Sequence, residues 1–282
     1  MQRSIVLTIL NLKGGVGKTH ATWLVAAVCQ ERNSRVLLID TDTQGNLSNS
    51  FLDPSNHAPG VETIFHAGAE PDIRRLIRKT AFSAIDIVPA GPALAAFDQS
   101  SQRDWEKLEL HEALAQAIKP ILSDYEYILF DCPPRLSLVS FASLCASQGV
   151  IIPMEAADWG AQGILQVSAA IEHVRERYNP SLRLLGYLVS RFKQRRAYQQ
   201  SYLRQLRQQF GTKAFDTVIP DLALFEKSVC DRIPITVHAP RSREAELARQ
   251  LFAEIERRVE GDEKLRRGFR AALVSAHAKT AA

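Results

Sequence analysis

Long hydrophobic runs are missing from this 282-residue chain. No apolar stretch approaches the roughly 18–20 residues that a membrane-spanning helix needs, so no such span is predicted. The opening residues run straight into a strand pattern, without the basic, apolar and small-residue succession of a secretory leader, which favours a cytoplasmic protein. Cysteine is scarce and scattered. Cys29, Cys132, Cys145 and Cys230 form no C-x-x-C pair, which argues against both a structural zinc site and a disulfide framework. Extremes of composition are absent too: 46% hydrophobic and 23% charged residues suit an ordinary globular chain. Length alone leaves open one large α/β domain or two small ones.

What is present begins near the N-terminus, with Asn11-Leu12-Lys13-Gly14-Gly15-Val16-Gly17-Lys18-Thr19-His20. An apolar, β-branched run (5–10) precedes it and an apolar helical pattern (21–28) follows. A glycine-rich turn between strand and helix is the setting of a phosphate-binding loop. Glycines let the backbone close around an anion, and successive N–H groups point inward. The helix N-terminus adds partial positive charge. Lys18 can reach the β- and γ-phosphates, and the Thr19 hydroxyl can ligate magnesium.

The pattern G-x-x-x-x-G-K-[ST] fails, because its first glycine falls on Leu12. What fits is x-K-G-G-x-G-K-[ST], with an extra lysine, Lys13. This resembles the deviant Walker A box of the ParA/MinD family of ATPases. The resemblance implies that Lys13 reaches across a dimer interface to the partner's nucleotide. It also implies nucleotide contacts from Lys13, Gly14, Gly15, Val16, Gly17, Lys18, Thr19 and His20, the last standing where relatives often have threonine.

Downstream, Asp40-Thr41-Asp42-Thr43-Gln44-Gly45-Asn46 closes a second strand (35–40). It resembles the family's D-x-D-x-Q-G-N switch, with Thr43 where a proline is more usual. Asp40 is then expected to hold magnesium through water, and Asp42 to position the attacking water. Residues 127–134, Tyr-Ile-Leu-Phe-Asp-Cys-Pro-Pro, read as a buried strand ending in Asp131, expected beside the magnesium. The run resembles the family's second switch. Cys132 invites comparison with an iron–sulfur enzyme family sharing this loop type, but that family's cluster cysteine lies further along.

Charge is uneven. Residues 1–140 carry 13 Lys and Arg against 16 Asp and Glu, while the remainder carries 22 against 15. Residues 191–209 contain Arg191, Lys193, Arg195, Arg196, Arg204 and Arg207 without one acid. Such a face can neutralise phosphates and hold DNA without regard to sequence; Arg241 and Arg243 are further candidates. Tyr198, Tyr202, Leu206 and Phe210 recur at helical spacing with Leu203 beside them, and core packing is the favoured reading of that stripe. Residues 214–220 are expected to form a strand leading to an adenine-side loop, with Pro220 and Asp221 lining the base pocket. There the family usually has I-P-R-N-V-R; this chain has Ile219-Pro220-Asp221-Leu222-Ala223-Leu224, lacking both arginines.

Further expectations are a helix over 108–118 ended by Pro120, and a final helix from Ser242, its cap, to about Val259. A single ATPase domain (1–260) precedes a basic C-terminal helix or tail (261–282). The fold class implied is an α/β P-loop NTPase with a mainly parallel, twisted sheet flanked by helices on both faces. Without room for a helix-turn-helix module before the first strand, the chain looks like a short, Soj-like ParA. The resemblance implies ATP and Mg2+, a homodimer with ATP, binding to non-specific DNA, and a nucleoid-associated location. It also implies hydrolysis stimulated by a ParB-like or cargo-bound protein during plasmid, chromosome or other cargo partition. Three alternatives stay open: a MinD-like ATPase that uses the tail on a membrane surface, which is less favoured; a small-molecule or metallocluster enzyme on the same scaffold, against which the cysteine spacing argues; and a relative that positions a protein assembly.

Overall fold

The computed structural model describes residues 4–66, 72–97, 109–156 and 161–261. Apart from Gly261, the expected C-terminal segment lies outside them. Seven strands, β1 (Ile5–Ile9), β2 (Val36–Asp40), β3 (Arg78–Lys79), β4 (Ile85–Val88), β5 (Tyr127–Asp131), β6 (Gly149–Glu155) and β7 (Arg183–Ser190), lie in the order β3-β4-β2-β5-β1-β6-β7. Every neighbouring pair is parallel except β3, a two-residue antiparallel edge on β4. Helices cover both faces, so β2 and β5 are buried throughout. This is why they read as unbroken apolar runs rather than alternating ones. The register pairs Asp40 with Asp131, and β1 ends alongside at Ile9. Two acids thus emerge side by side at the carboxyl edge, where such sheets bind ligands.

One face of the sheet packs against α1 (Lys18–Arg32) through Trp23, Leu24 and Val28, and against α9 (Arg243–Gly261) through Leu251, Phe252 and Ile255. The other face receives α4 (Leu138–Ala146), α5 (Ala161–Arg177) and α6 (Ala197–Phe210), through Leu138, Phe141, Val167, Leu203 and Leu206. Short helices α2 (Asn46–Phe51), α3 (Ala113–Ile118), α7 (Ala223–Cys230) and α8 (Ile235–His238) complete the described set. The Ser242 hydroxyl accepts the Ala245 N–H at 3.1 Å, the cap expected for α9.

Two expectations change. The segment 214–220 is not a strand; it makes isolated bridges from Ala214 to Tyr187 of β7 and from Pro220 to Phe192 just past that strand. The buried Glu254 carboxylate explains this, because it accepts the N–H groups of Asp216 and Thr217 at 2.8 Å each and draws them off the ladder. The helix around 108–118 is shorter, α3 alone, with 3-10 turns at Leu110–Glu112 and Lys119–Ile121. Pro120 sits in the first positions of the second turn, just after Lys119, where its missing N–H has no intrahelical acceptor to lose.

Candidate active site

The phosphate loop joins β1 to α1. Gly15 and Gly17 hold φ of 75° and 85°, and Gly17 is the cap from which α1 starts. A side chain on Gly17 would be strained by that backbone and would also bring its Cβ to 3.0 Å from the Ser190 hydroxyl oxygen. That hydroxyl donates to the Val16 carbonyl, tying the loop to the end of β7. Asn11 fixes the other side. Its amide donates to the Pro153 carbonyl at 2.7 Å and its carbonyl oxygen accepts the Lys13 N–H at 3.0 Å. Lys18 curls under the loop, Nζ donating to the Lys13 carbonyl at 3.1 Å. Burial lowers the Lys18 pKa, opposed by the charges of Asp131 and Asp42.

Beside the loop, Thr19 Oγ1 donates to Asp131 Oδ2 at 2.7 Å. The other oxygen, Oδ1, is buried without a hydrogen-bond partner. Burial and the neighbouring Asp40 charge push the Asp131 carboxyl well above the usual range, against the Thr19 hydrogen bond and the Lys18 charge. An orphaned carboxylate oxygen next to a threonine hydroxyl suits a hydrated magnesium ion, which keeps most of its waters and takes one or two carboxylates. Asp40 is committed differently. Its oxygens accept from the Asp42 N–H at 3.1 Å, the Ser48 N–H at 2.8 Å and the Ser48 hydroxyl at 2.7 Å. Burial raises its pKa to about 6 even though those hydrogen bonds pull it down. The visible work of Asp40 is to pin the loop carrying Asp42, which is nearly buried and accepts the Gln44 N–H at 3.1 Å.

Lys13 stands on the open side, its Nζ 3.8 Å from Glu155 Oε2 at the end of β6. Arg191 reaches the same carboxylate at 3.7 Å and donates to the Gly15 carbonyl at 3.1 Å. The cleft in front of the loop is about 750 Å³ and continues past His20 and Trp23 to Pro220, Asp221, Phe225 and Cys230. His20 packs edge-on against Phe225, ring centres 4.8 Å apart. Burial lowers the His20 pKa to about 4, so the ring is neutral near pH 7. Asp221 pairs with Lys193 at 3.1 Å. Pro220 and Asp221 therefore border the cleft. Sequence patterns do not disclose the roles of Ser190, Glu155 and Ser48. Each acts across more than one element, and no contiguous motif marks them.

The basic residues expected on one DNA face separate into groups. Arg191 lines the cleft, and Lys193 sits behind it on the lining residue Asp221. Arg195, Arg196, Arg204 and Arg207 are exposed on or beside α6, where Arg207 donates to the Asp216 carbonyl. Arg241 and Arg243 lie at the start of α9, a helix packed on the opposite face of the sheet. Leu203 and Leu206 are buried as expected, but Tyr198 is 45% exposed. Its hydroxyl accepts from Arg196, whose guanidinium lies 5.9 Å from the ring centre. At the first turn of α6 the stripe has run past the edge of the core. Cys132 is a buried thiol, its pKa pushed to about 12 by burial.

A family model described as "AAA domain" matches residues 4–184. The chromosome-partitioning ATPase Soj of Thermus thermophilus is 32% identical over 259 residues, spanning 90% of this chain and 96% of its own. The chain belongs to the ParA/MinD family. Two solved structures resemble this ParA/MinD-family chain in fold. One is cobyrinic acid a,c-diamide synthase from Mycobacterium smegmatis with bound ADP and magnesium (TM-score 0.74, 24% identity, 91% of this chain and 96% of that one). The other is an ATP complex of a McdA variant from Cyanothece (TM-score 0.76, 18% identity, 92% and 98%). At those identities the likeness carries the P-loop architecture alone. Within the ParA/MinD pattern, this chain's departures at His20, Thr43 and Asp221 all lie on or beside the cleft.

Proposed function

We propose that this chain is an ATP-driven dimerising switch whose ATP state holds non-specific DNA and whose hydrolysis, stimulated by a cargo-bound partner, releases it. The observation that carries the reading is the unpartnered Asp131 oxygen beside Thr19 and Lys18, at the mouth of a glycine cradle. ATP with magnesium supplies a γ-phosphoryl group whose transfer develops charge on its equatorial oxygens. Lys18 and the loop N–H groups are the donors toward that charge, Thr19 and Asp131 would hold the magnesium, which would offset phosphate charge, and Asp42 would orient the attacking water. Lys13, 43% exposed on the rim, is placed to serve a second subunit once it leaves Glu155. Turnover is slow until the partner binds.

The exposed arginines of α6 support the DNA part. Among the described residues, Arg195 and Arg204 have no ion-pair partner, so cations at that face are available to phosphates. The test is binding to a random-sequence duplex with ADP, with ATP and magnesium, and with Lys13→Gln plus ATP, across a salt series. Expected are ATP-dependent binding that weakens steeply with salt and its loss in the variant. Absence of DNA binding in every nucleotide state at low salt overturns the DNA matrix and turns attention to a membrane or protein scaffold.

A further inference from the structure

Thr43 and Arg135 lie in different segments that meet at the cleft's edge. Thr43 follows Asp42 in the loop after β2, and Arg135 follows Pro133-Pro134 in the loop after β5. Arg135 Nη2 donates to Thr43 Oγ1 at 2.8 Å. A residue without a side-chain oxygen at position 43, such as proline, could not accept this bond. Both loops are otherwise well tethered. The Thr41 hydroxyl donates to the Asp131 carbonyl at 2.8 Å, the Asp42 carbonyl accepts the Gly45 N–H at 2.8 Å, and the Ser140 hydroxyl donates to the Arg135 carbonyl at 2.7 Å. Arg135 is therefore fixed at its backbone by α4, while its half-buried guanidinium grips the residue next to Asp42.

We propose that Arg135 is a positioning residue for ATP hydrolysis. Through Thr43 it holds Asp42 in register with Asp131, so that the two loops move as one. This rests on the ATPase reading above. A planar guanidinium donates in fixed directions, which a flexible ammonium does not reproduce. A small misplacement of a water-orienting carboxylate slows chemistry far more than it weakens nucleotide binding.

The full chain is tested as wild type, Thr43→Val, Arg135→Gln and the double variant. The readouts are kcat and KM for ATP, thermal melting, and amide exchange over residues 41–46. Each single change is expected to lower kcat about tenfold, the loss of one charge-assisted hydrogen bond, and to leave KM within about twofold. The double variant is no slower than the slower single, and exchange over 41–46 rises in all three. Thr43→Ser keeps the hydroxyl and stays near wild type; Arg135→Lys recovers only part of the rate. The proposal is overturned if kcat is unchanged, if the two losses multiply, or if melting falls while exchange over 41–46 and kcat do not change. Failure of the wild type to bind or hydrolyse ATP overturns the ATPase reading itself. Wild-type turnover with unaffected single variants overturns the tether alone.

Discussion

The two ends of the cleft are built in different ways. At the phosphate end, adjacent residues do the work. Residues 13–19 form the cradle, and parallel register brings Asp40 and Asp131 together beside it. At the far end the wall is assembled from segments remote in sequence: His20 on α1, Phe225 on α7, and an irregular stretch over 214–222 whose ladder to β7 is interrupted where Glu254 on α9 takes two of its N–H groups. A phosphate presents the same oxygens to every protein, and backbone N–H groups suffice to meet them. The far wall has no such universal partner and is set by whichever side chains pack there, Asp221 and Leu222 among them.

The largest expected effect strikes the anchor of the irregular wall. Glu254→Ala strips the acceptor from two N–H groups and removes the only carboxylate paired with Arg258 among the described residues, at 2.7 Å, leaving its mostly buried guanidinium with the carbonyls of Leu185, Thr212 and Ala214 alone. Breaking a buried pair in this way costs about 3–5 kcal/mol, measured by denaturant unfolding. The acid's own pH dependence follows. Burial would raise its pKa, but hydrogen bonds from Thr217, Asp216 and Arg258 outweigh that and hold it below the usual range. Its contribution is therefore present above the unfolded-state pKa of about 4.3 and is lost as pH falls through the lower folded value. Melting curves should show the gap between wild type and Glu254→Gln narrowing from pH 6 to pH 3.

Breaking the phosphate end comes next. Lys18→Gln is expected to weaken ATP binding by at least about tenfold and up to about 100-fold, the range of a charged hydrogen bond of 1.5–3 kcal/mol, with little loss of stability because burial already disfavours the charged lysine. Fluorescent-nucleotide titration checks it; an affinity within twofold of wild type would sink the assignment.

A third test sharpens the division within the basic stretch. Arg191→Ala with Lys193→Ala is expected to change nucleotide affinity severalfold, because Arg191 lines the cleft and Lys193 holds its lining residue Asp221. Arg195→Ala with Arg204→Ala should leave nucleotide affinity alone, weaken DNA binding, and lower the salt slope by about one for each phosphate contact removed. If both pairs affect DNA equally, the separation read from the fold is functionally empty.

The smallest effect belongs to His20. Its pKa of about 4 makes it neutral across pH 5.5–7.5. Nucleotide affinity should therefore show no step there that His20→Thr removes.

The amino-acid sequence determined the strands, their near-continuous burial and the phosphate loop, because each depends on neighbours within a few residues. A strand of Val, Leu and Ile needs no distant information to be buried, and a glycine turn before Lys-Thr carries its geometry locally. The expected strand over 214–220 failed for the opposite reason. Its apolar pattern is genuine, but a carboxylate nearly forty residues later competes for its N–H groups. The six cations of residues 191–209 look like one face along the chain, yet the turn between β7 and α6 sends Arg191 and Lys193 to the cleft and the rest outward. The Asp40–Ser48 clamp, the Glu155 contact to Lys13 and the Arg135–Thr43 bond were likewise decided only by tertiary structure. Hydrogen bonds and ion pairs are directional and short-ranged, so they exist only where packing has already brought the partners within about 3–4 Å. Hydrophobic burial is non-directional and leaves its periodic mark along the chain itself.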